Sequence, residues 1–473
     1  MTAPESGRMR FMTPARRAVA LLVAGAVALT QMAIPAAAQG RGNGGLPVIR
    51  DAEIEQLMRE YTAPILRVAG LAKQNIRIVL INDRSYNAFV VVGRRIFVNA
   101  GALIESETPN QIIGVLAHET GHIAGGHLAK LRQELASVQN IMMLAMLLGL
   151  GAAVAGGGRN SGDAAAAAIM APQQLALRSL LSYQRAHEEQ ADRAGVKFLT
   201  ATGQSAKGMY ETFKRFSEQI MFAAQRADPY MQSHPMPRER IASLAEVALN
   251  SPNWEKKDSP ELQLRHDMIR AKLRAFIDRP DAIQRAYPPS NMSLPARYAR
   301  AIATYRHGEI SSALTQIDSL IQSSSHNAYF YELKGQTLLE AGRPGEAIAP
   351  LREAISRAPD PTLIRVMLGQ ALIATGNPKL ADEAVASLEV AILRDPDIPE
   401  AYTNLAMAYG RKGDVARADL ASAQAAFSRG DFMTARQLAA RAKGRFPVGA
   451  PGWVKADDIA SFKPPVPIQA GRR

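Results

Sequence analysis

The sequence predicts two parts: a mostly helical α+β domain with a small β-sheet, followed by an all-α solenoid of paired helices. Three observations predict it. Apolar residues with helical spacing at 51–71 give way to a β-branched alternating run at 76–81. An apolar helical run, Ile112 to Ala117, leads directly into His118-Glu119-Thr120-Gly121-His122. From Asn291 onward, small residues recur with a period of 34.

Bulk properties bound the reading. A chain of 473 residues has room for two or three domains, and 47% hydrophobic residues can fill their cores. There is no cysteine, which excludes disulfides, thiolate zinc fingers and a cysteine nucleophile. The net charge is +13, of which residues 1–38 carry +3, four arginines against Glu5. The rest is spread out, with no Lys/Arg block interleaved with aromatics, so nucleic acid is not an expected partner.

Taken in order, residues 1–38 read as a secretory signal. Arg16-Arg17 precede an apolar stretch from Ala18 to Leu29, and Ala36-Ala37-Ala38 offers a cleavage site. Residues 39–250 then form the first domain. Ile54, Leu57, Met58, Tyr61, Ile65 and Leu66 mark a helix within Asp51–Leu71. Ile76–Ile81 reads as a strand, and Ala88–Val92 with Arg95–Asn99 as a hairpin about Gly93. The motif helix is expected at about Pro109–Lys130. Residues 135–158 carry no charge, and Ala164–Leu177 none either, though this second stretch holds Pro172, Gln173 and Gln174. If a site has residues on both sides of this segment, membrane crossings between them must be even in number. The second stretch is short for a span. The expectation is therefore a helical hairpin over 135–177 that covers the site or touches a membrane surface peripherally.

Residues 251–290 are expected to be a linker, 291–447 the solenoid and 448–473 a loose tail. In the solenoid, Ala301, Ala313 and Leu320 recur as Gly335, Ala347 and Ala354. Gly369, Ala384 and Ala391 follow, then Ala406, Ala418 and Ala425, then Ala435 and Ala442. The turns at Gly342, Gly376, Gly413 and Gly430 agree with this register. The period resembles the tetratricopeptide repeat, an array with a surface for protein partners.

The chemistry sits at 118–122. Two histidines four residues apart lie about 40° apart around a helix, so both imidazoles can reach one ion. Glu119 points off that axis, where it can take a proton from water. This is the zinc hydrolase pattern H-E-x-x-H. A catalytic zinc needs a third protein ligand. His127 is one candidate, one residue early for the metzincin pattern H-E-x-x-H-x-x-G-x-x-H; on a continuing helix it lies on the far face, and a break at Gly125-Gly126 would be needed to bring it round. Glu188 is the better one, because Asp192 shares its helix face four residues on. Glu189 lacks such a carboxylate, and His187 reads as a surface residue.

H-E-x-x-H, an apolar insertion and E-x-x-A-D at 188–192 together resemble the CAAX-prenyl-protease-like, HtpX-type zinc metallopeptidases. Asn87-Ala88-Phe89 resembles the N-A-F strand of that family, and His234-Pro235 with Arg240, Ile241 and Leu244 resembles its H-P-x4-R-I-x-x-L segment. The chain departs from the family after Asn87, where A-F-V-V-V-G-R stands for the usual A-F-A-x-P-G-G, and at Gln184-Arg185. The resemblance implies a zincin-like fold and one Zn2+ per chain on His118, His122 and Glu188. It implies Glu119 as general base, Asp192 as the acceptor that orients a ligand histidine, and His234 as an oxyanion donor or zinc cap. It implies that a strand near Asn87–Phe89 binds extended substrate by edge pairing. With the leader and the repeats, it implies a periplasmic endopeptidase of envelope quality control. Its substrates would be unfolded or misassembled outer-membrane proteins, and its repeats would dock on outer-membrane assembly machinery. The competing expectations are a chaperone or scaffold with a regulatory or weakly active zinc site, and a membrane-embedded HtpX-type protease.

Overall fold

The alternation at 76–81 and the hairpin about residue 93 build a small sheet in the computed structural model, which describes residues 46–91, 94–137, 161–222, 230 and 233–463. The leader expected over 1–38, and 138–160 of the expected apolar hairpin, lie outside the described residues. The chain divides into two units. One comprises residues up to Ile49 with Tyr61–Asp258, the other Arg50–Glu60 with Ser259 onward.

In the first unit, strands β1 (Val48–Ile49), β2 (Arg77–Ile81), β3 (Ala88–Val90) and β4 (Arg95–Asn99) form one sheet in the order β1-β2-β4-β3. β2 pairs parallel with β4, Leu80 opposite Val98, while β3 and β4 form the antiparallel hairpin with Phe89 opposite Phe97. Those two rings stack at 5.3 Å, the kind of cross-strand pair that pins register. β3 is thus an edge strand. Helix α1 (Ala52–Val68), whose residues up to Glu60 belong to the second unit, precedes β2, and α2 (Ala100–Glu105) follows β4.

Helix α3 (Pro109–Gly125) carries the histidine motif. Proline at its first position suits a helix start. Ile112, Ile113, Val115, Leu116 and Ala117 are all buried, so this stretch of the helix is buried on every side, as in a core helix. It stops at Gly126, whose φ of 63° is left-handed and whose N–H bonds the carbonyls of His122 and Ile123. Residues 127–137 resume a helix in a new direction. Helix α4 (Ser161–Ala201) is 41 residues long and includes the second apolar stretch, 164–177, in one continuous run. Helices α5 (Lys207–Phe222) and α6 (Arg238–Leu249) complete the unit. Among the described residues, no helix is long and apolar enough to cross a membrane.

The second unit is all helical. Residues 251–290, expected as a linker, hold α7 (Pro260–Ile277) and α8 (Pro280–Ala286). The abundance of charge there conceals an amphipathic stripe: Met268, Ala271 and Ala275 pack with Ile283, Tyr298 and Ile302 in a common core. Helices α9 (Leu294–His307), α10 (Ile310–Ser323), α11 (Ala328–Glu340), α12 (Pro344–Arg357), α13 (Thr362–Ala374), α14 (Ala381–Arg394), α15 (Pro399–Arg411), α16 (Val415–Ser428) and α17 (Phe432–Lys443) follow. The tail expected to be loose contains α18 (Pro451–Ser461), anchored by Ala456 against Leu420 and Ala442.

The 34-residue register maps onto helix contacts. A Cβ added at Gly335 would lie 2.5 Å from Leu351, and one at Gly369 2.5 Å from Leu388, so paired helices touch where the small residues recur. In the later helices the register drifts: Ala401, Ala408 and Ala421 are fully packed, whereas Ala406 and Ala418 are only partly buried. The predicted turns at Gly342, Gly376, Gly413 and Gly430 all have φ between 72° and 78°. The fold class is therefore the expected one, a mostly helical first domain with a small sheet, followed by helical repeats.

Candidate metal centre

Four stretches of sequence supply the site. α3 contributes His118, Glu119 and His122, and α4 contributes Glu188 and Asp192. The segment before α6 contributes His234, and α6 itself contributes Arg240. α3 and α4 approach closely because Gly121 faces Ala191: a Cβ there would sit 2.8 Å from the Ala191 carbonyl. That contact brings the carboxylates of α4 against the imidazoles of α3.

The histidine spacing has the geometric consequence expected of it. Nε2 of His122 is 3.0 Å from Nε2 of His118. Glu188 closes the triangle, with Oε2 3.4 Å from His118 Nε2 and Oε1 3.5 Å from His122 Nε2. His234 Nδ1 lies 3.4 Å from His118 Nε2 and 3.0 Å from Glu188 Oε2. His118, His122, Glu188 and His234 each offer one donor atom, all within 4.8 Å of one another. Zinc bound by nitrogen at 2.0–2.1 Å in a tetrahedron separates its donors by about 3.3 Å, and the 3.0–3.5 Å spacings among His118, His122 and Glu188 fit that ion.

Around these atoms lies a buried charge network. His118 Nδ1 is 2.9 Å from Asp192 Oδ1. Arg240 grips Asp192 with two hydrogen bonds of 2.7 and 2.8 Å, and its Nη1 reaches Glu188 Oε2 at 2.8 Å. The same Nη1 donates to the Pro235 carbonyl, tying down the segment that carries His234. Glu119 is fully buried. Neither of its carboxylate oxygens has a hydrogen-bond partner, and His234 Nε2 stands 3.4 Å from Oε1.

The electrostatics favour positive charge at the centre. Burial alone would push the Glu188 carboxyl up, but His234 and Arg240 overcome it and hold it well below the usual carboxylate range. Asp192 is likewise held down by Arg240 against the effect of burial. Burial pulls His118 down, yet the Asp192 and Glu188 carboxylates prevail and hold it up to about 9. Carboxylates that hold a proton on His118 so firmly would hold a metal cation at the same point. Glu119 behaves oppositely: burial pushes its carboxyl up. Burial also carries His122 well below the usual histidine range.

The six residues singled out from sequence, His118, Glu119, His122, Glu188, Asp192 and His234, thus converge. Glu189 does not: its side chain is exposed and pairs with Arg193 at 2.9 Å. Two histidines are placed otherwise than expected. A continuing helix would put His127 on the far face. The left-handed break at Gly126 instead turns it inward, with Nδ1 3.1 Å from His122 Nδ1. His187, read as a surface residue, is buried and stacks on His127 at 4.2 Å with planes 7° apart. The sequence offers Arg240 only as part of a motif. Its role follows from burial, since two carboxylates on one buried helix face require a cation. β3, the strand at Ala88–Phe89, lies at a sheet edge as edge pairing would need.

Residues 49–248 match Peptidase family M48, and residues 298–363 match the Tetratricopeptide repeat. A protein of Escherichia coli (strain K12) named beta-barrel assembly-enhancing protease is 23% identical over 411 residues, covering 85% of this chain and 77% of its own length. The protein of that name in Yersinia pestis is 22% identical over 361 residues, 74% of this chain and 72% of its own. A Vibrio cholerae relative is 27% identical over 206 residues, 44% of this chain. There the match spans less than half of the relative, 41%.

Proposed function

We propose, for a chain whose residues 49–248 match peptidase family M48 and whose residues 298–363 match the tetratricopeptide repeat, that it is a zinc-dependent endopeptidase of the periplasm. It acts on misfolded or stalled outer-membrane proteins, and its repeats dock on their assembly machinery. The relatives' name supports the substrate class and the partner. The observation that carries the enzymatic reading is Glu119: a fully buried carboxylate without a hydrogen-bond partner, on the helix turn between two converging imidazoles.

His118 and His122, through Nε2, and Glu188 would hold one zinc ion per chain. When bound, zinc supplies a Lewis acid for the scissile carbonyl and makes water acidic enough to attack at neutral pH. Glu119 takes the proton of the attacking water and returns it to the leaving amine nitrogen. Its dry surroundings raise its proton affinity, which suits a group that must both accept and give. Asp192 accepts from His118 Nδ1 and keeps the Nε2 lone pair on the centre. Arg240 fixes Asp192 and Glu188 in place. His234 stands at the fourth corner of the donor set, where it either caps the centre at rest or swings to meet the developing oxyanion. An extended substrate adds to the edge strand β3.

Glu119→Gln tests the reading. Zinc content should match the wild type by metal analysis, while casein cleavage falls by roughly 10²–10⁴-fold. Cleavage at the wild-type rate would remove Glu119 from the mechanism.

A further inference from the structure

His127 is a buried polar residue beside the centre to which the proposed mechanism gives no task. Its surroundings are specific. Nδ1 faces Nδ1 of His122 at 3.1 Å, and Nε2 faces Oε1 of Gln190 at 3.3 Å. His187 stacks flat on its ring, with Tyr183 in turn tilted against His187 at 4.1 Å. The backbone is shaped to admit it. Gly126 takes the left-handed conformation that turns the chain, and a Cβ on Gly125 would lie 2.2 Å from His127 Nε2. Gly125-Gly126-His127 is therefore a turn that seats one imidazole behind another.

We infer that Gln190 and His127 are positioning residues that fix the tautomer of His122. Resting on the reading of His122 as a zinc ligand, the assignment follows from hydrogen-bond direction. A neutral imidazole carries one N–H and one lone pair. Gln190 Oε1 can only accept, so His127 carries its proton on Nε2 and presents a lone pair at Nδ1. His122 must then donate from Nδ1, which leaves its Nε2 lone pair facing His118 Nε2 and Glu188. The reverse direction, with the Gln190 amide N–H donating, would put a proton on His122 Nε2 and block it as a ligand. Only one direction is compatible with the converging donor set. His118 is oriented by Asp192 on one side of the centre, and His122 by His127 and Gln190 on the other.

The test uses the full chain with Zn2+ and a competing chelator, together with nitrogen NMR of 15N-histidine protein. His127→Ala should weaken zinc binding by about 10–100-fold, the usual cost of removing such a partner. His127→Asn, whose amide oxygen can take the place of Nδ1, should recover most of that loss, and Gln190→Leu should weaken binding by a smaller factor. In the metal-free wild type, the His122 ring should show a protonated Nδ1 and an unprotonated Nε2, and His127→Ala should abolish that bias. Unchanged zinc affinity in His127→Ala beside lost affinity in His122→Ala would overturn the relay and leave the zinc reading standing. Unchanged affinity in His122→Ala would sink both.

Discussion

The two units bury charge in opposite ways. In the repeat unit, Asp51, Glu53 and Glu332 surround Lys272, whose Nζ lies 2.7, 3.2 and 3.8 Å from their oxygens. Tyr298 donates to Glu53 at 3.0 Å. The chain there supplies its own cation, and a side chain that fills this role holds the fold. In the first unit, Arg240 neutralises Asp192 and part of Glu188, but the imidazole nitrogens and the Glu188 carboxylate turn toward one another at 3.0–3.5 Å. Lone pairs directed at a common point serve a ligand, not the fold. The contrast teaches that a buried polar cluster should be judged by whether it encloses its own counter-ion, even where one oxygen, as at Glu332 Oε2, lacks a hydrogen bond.

Four experiments break or sharpen this contrast. The largest effect is expected from Glu188→Ala, which should abolish stoichiometric zinc binding while Arg240 keeps its bidentate pairing with Asp192. Metal analysis beside thermal melting checks it: full zinc occupancy would transfer the ligand role to another residue. Lys272→Met should do the reverse, lowering unfolding free energy by about 3–5 kcal/mol because the buried acidic groups around it lose their counter-charge, with zinc content unchanged. A loss below ~1 kcal/mol by urea unfolding would show that the cluster does not hold the fold.

Next comes pH. Burial pushes the Glu332 carboxyl up from 4.5 to about 8, against the pull of Lys272. A folded-state value above the unfolded one means that the native state binds the extra proton. Its stabilising contribution is complete below pH 4.5 and is lost as pH rises toward 8. Stability of the full chain should therefore fall by a few kcal/mol between about pH 5 and pH 8, and Glu332→Gln should flatten that slope. An equally steep slope in the variant would place the titration elsewhere. The smallest effect is expected from Gly369→Ala, whose new Cβ meets Leu388 at 2.5 Å. It should cost roughly 1–3 kcal/mol of unfolding free energy from overpacking, and a neutral result in denaturant unfolding would show that this helix pair can spread.

Much of the site was legible because helical periodicity is a rigid rule over one or two turns. Spacing of four put His118 beside His122, and Glu188 beside Asp192, before any tertiary contact was known. The repeat register was legible for the same reason, since a small residue is required wherever paired helices touch. The rule fails where the helix does. His127 was misplaced because Gly126 adopts φ 63°, and a single left-handed residue redirects everything after it. His187 was misjudged because its burial depends on that turned ring. The segment 251–290 looked like a linker because its charge masked the stripe of Met268, Ala271 and Ala275.

By itself the sequence determined which residues could share a helix face, where the turns fall and which positions must stay small. These depend on local backbone geometry, which a few neighbouring residues decide. Only the tertiary structure decided which faces meet. It set Gly121 against Ala191, closed Glu188 onto two imidazoles, clamped both carboxylates with Arg240 and seated His127 behind His122. Those choices join residues up to 122 positions apart, from His118 to Arg240, and depend on packing and charge balance across the whole unit, for which no local pattern carries a signal.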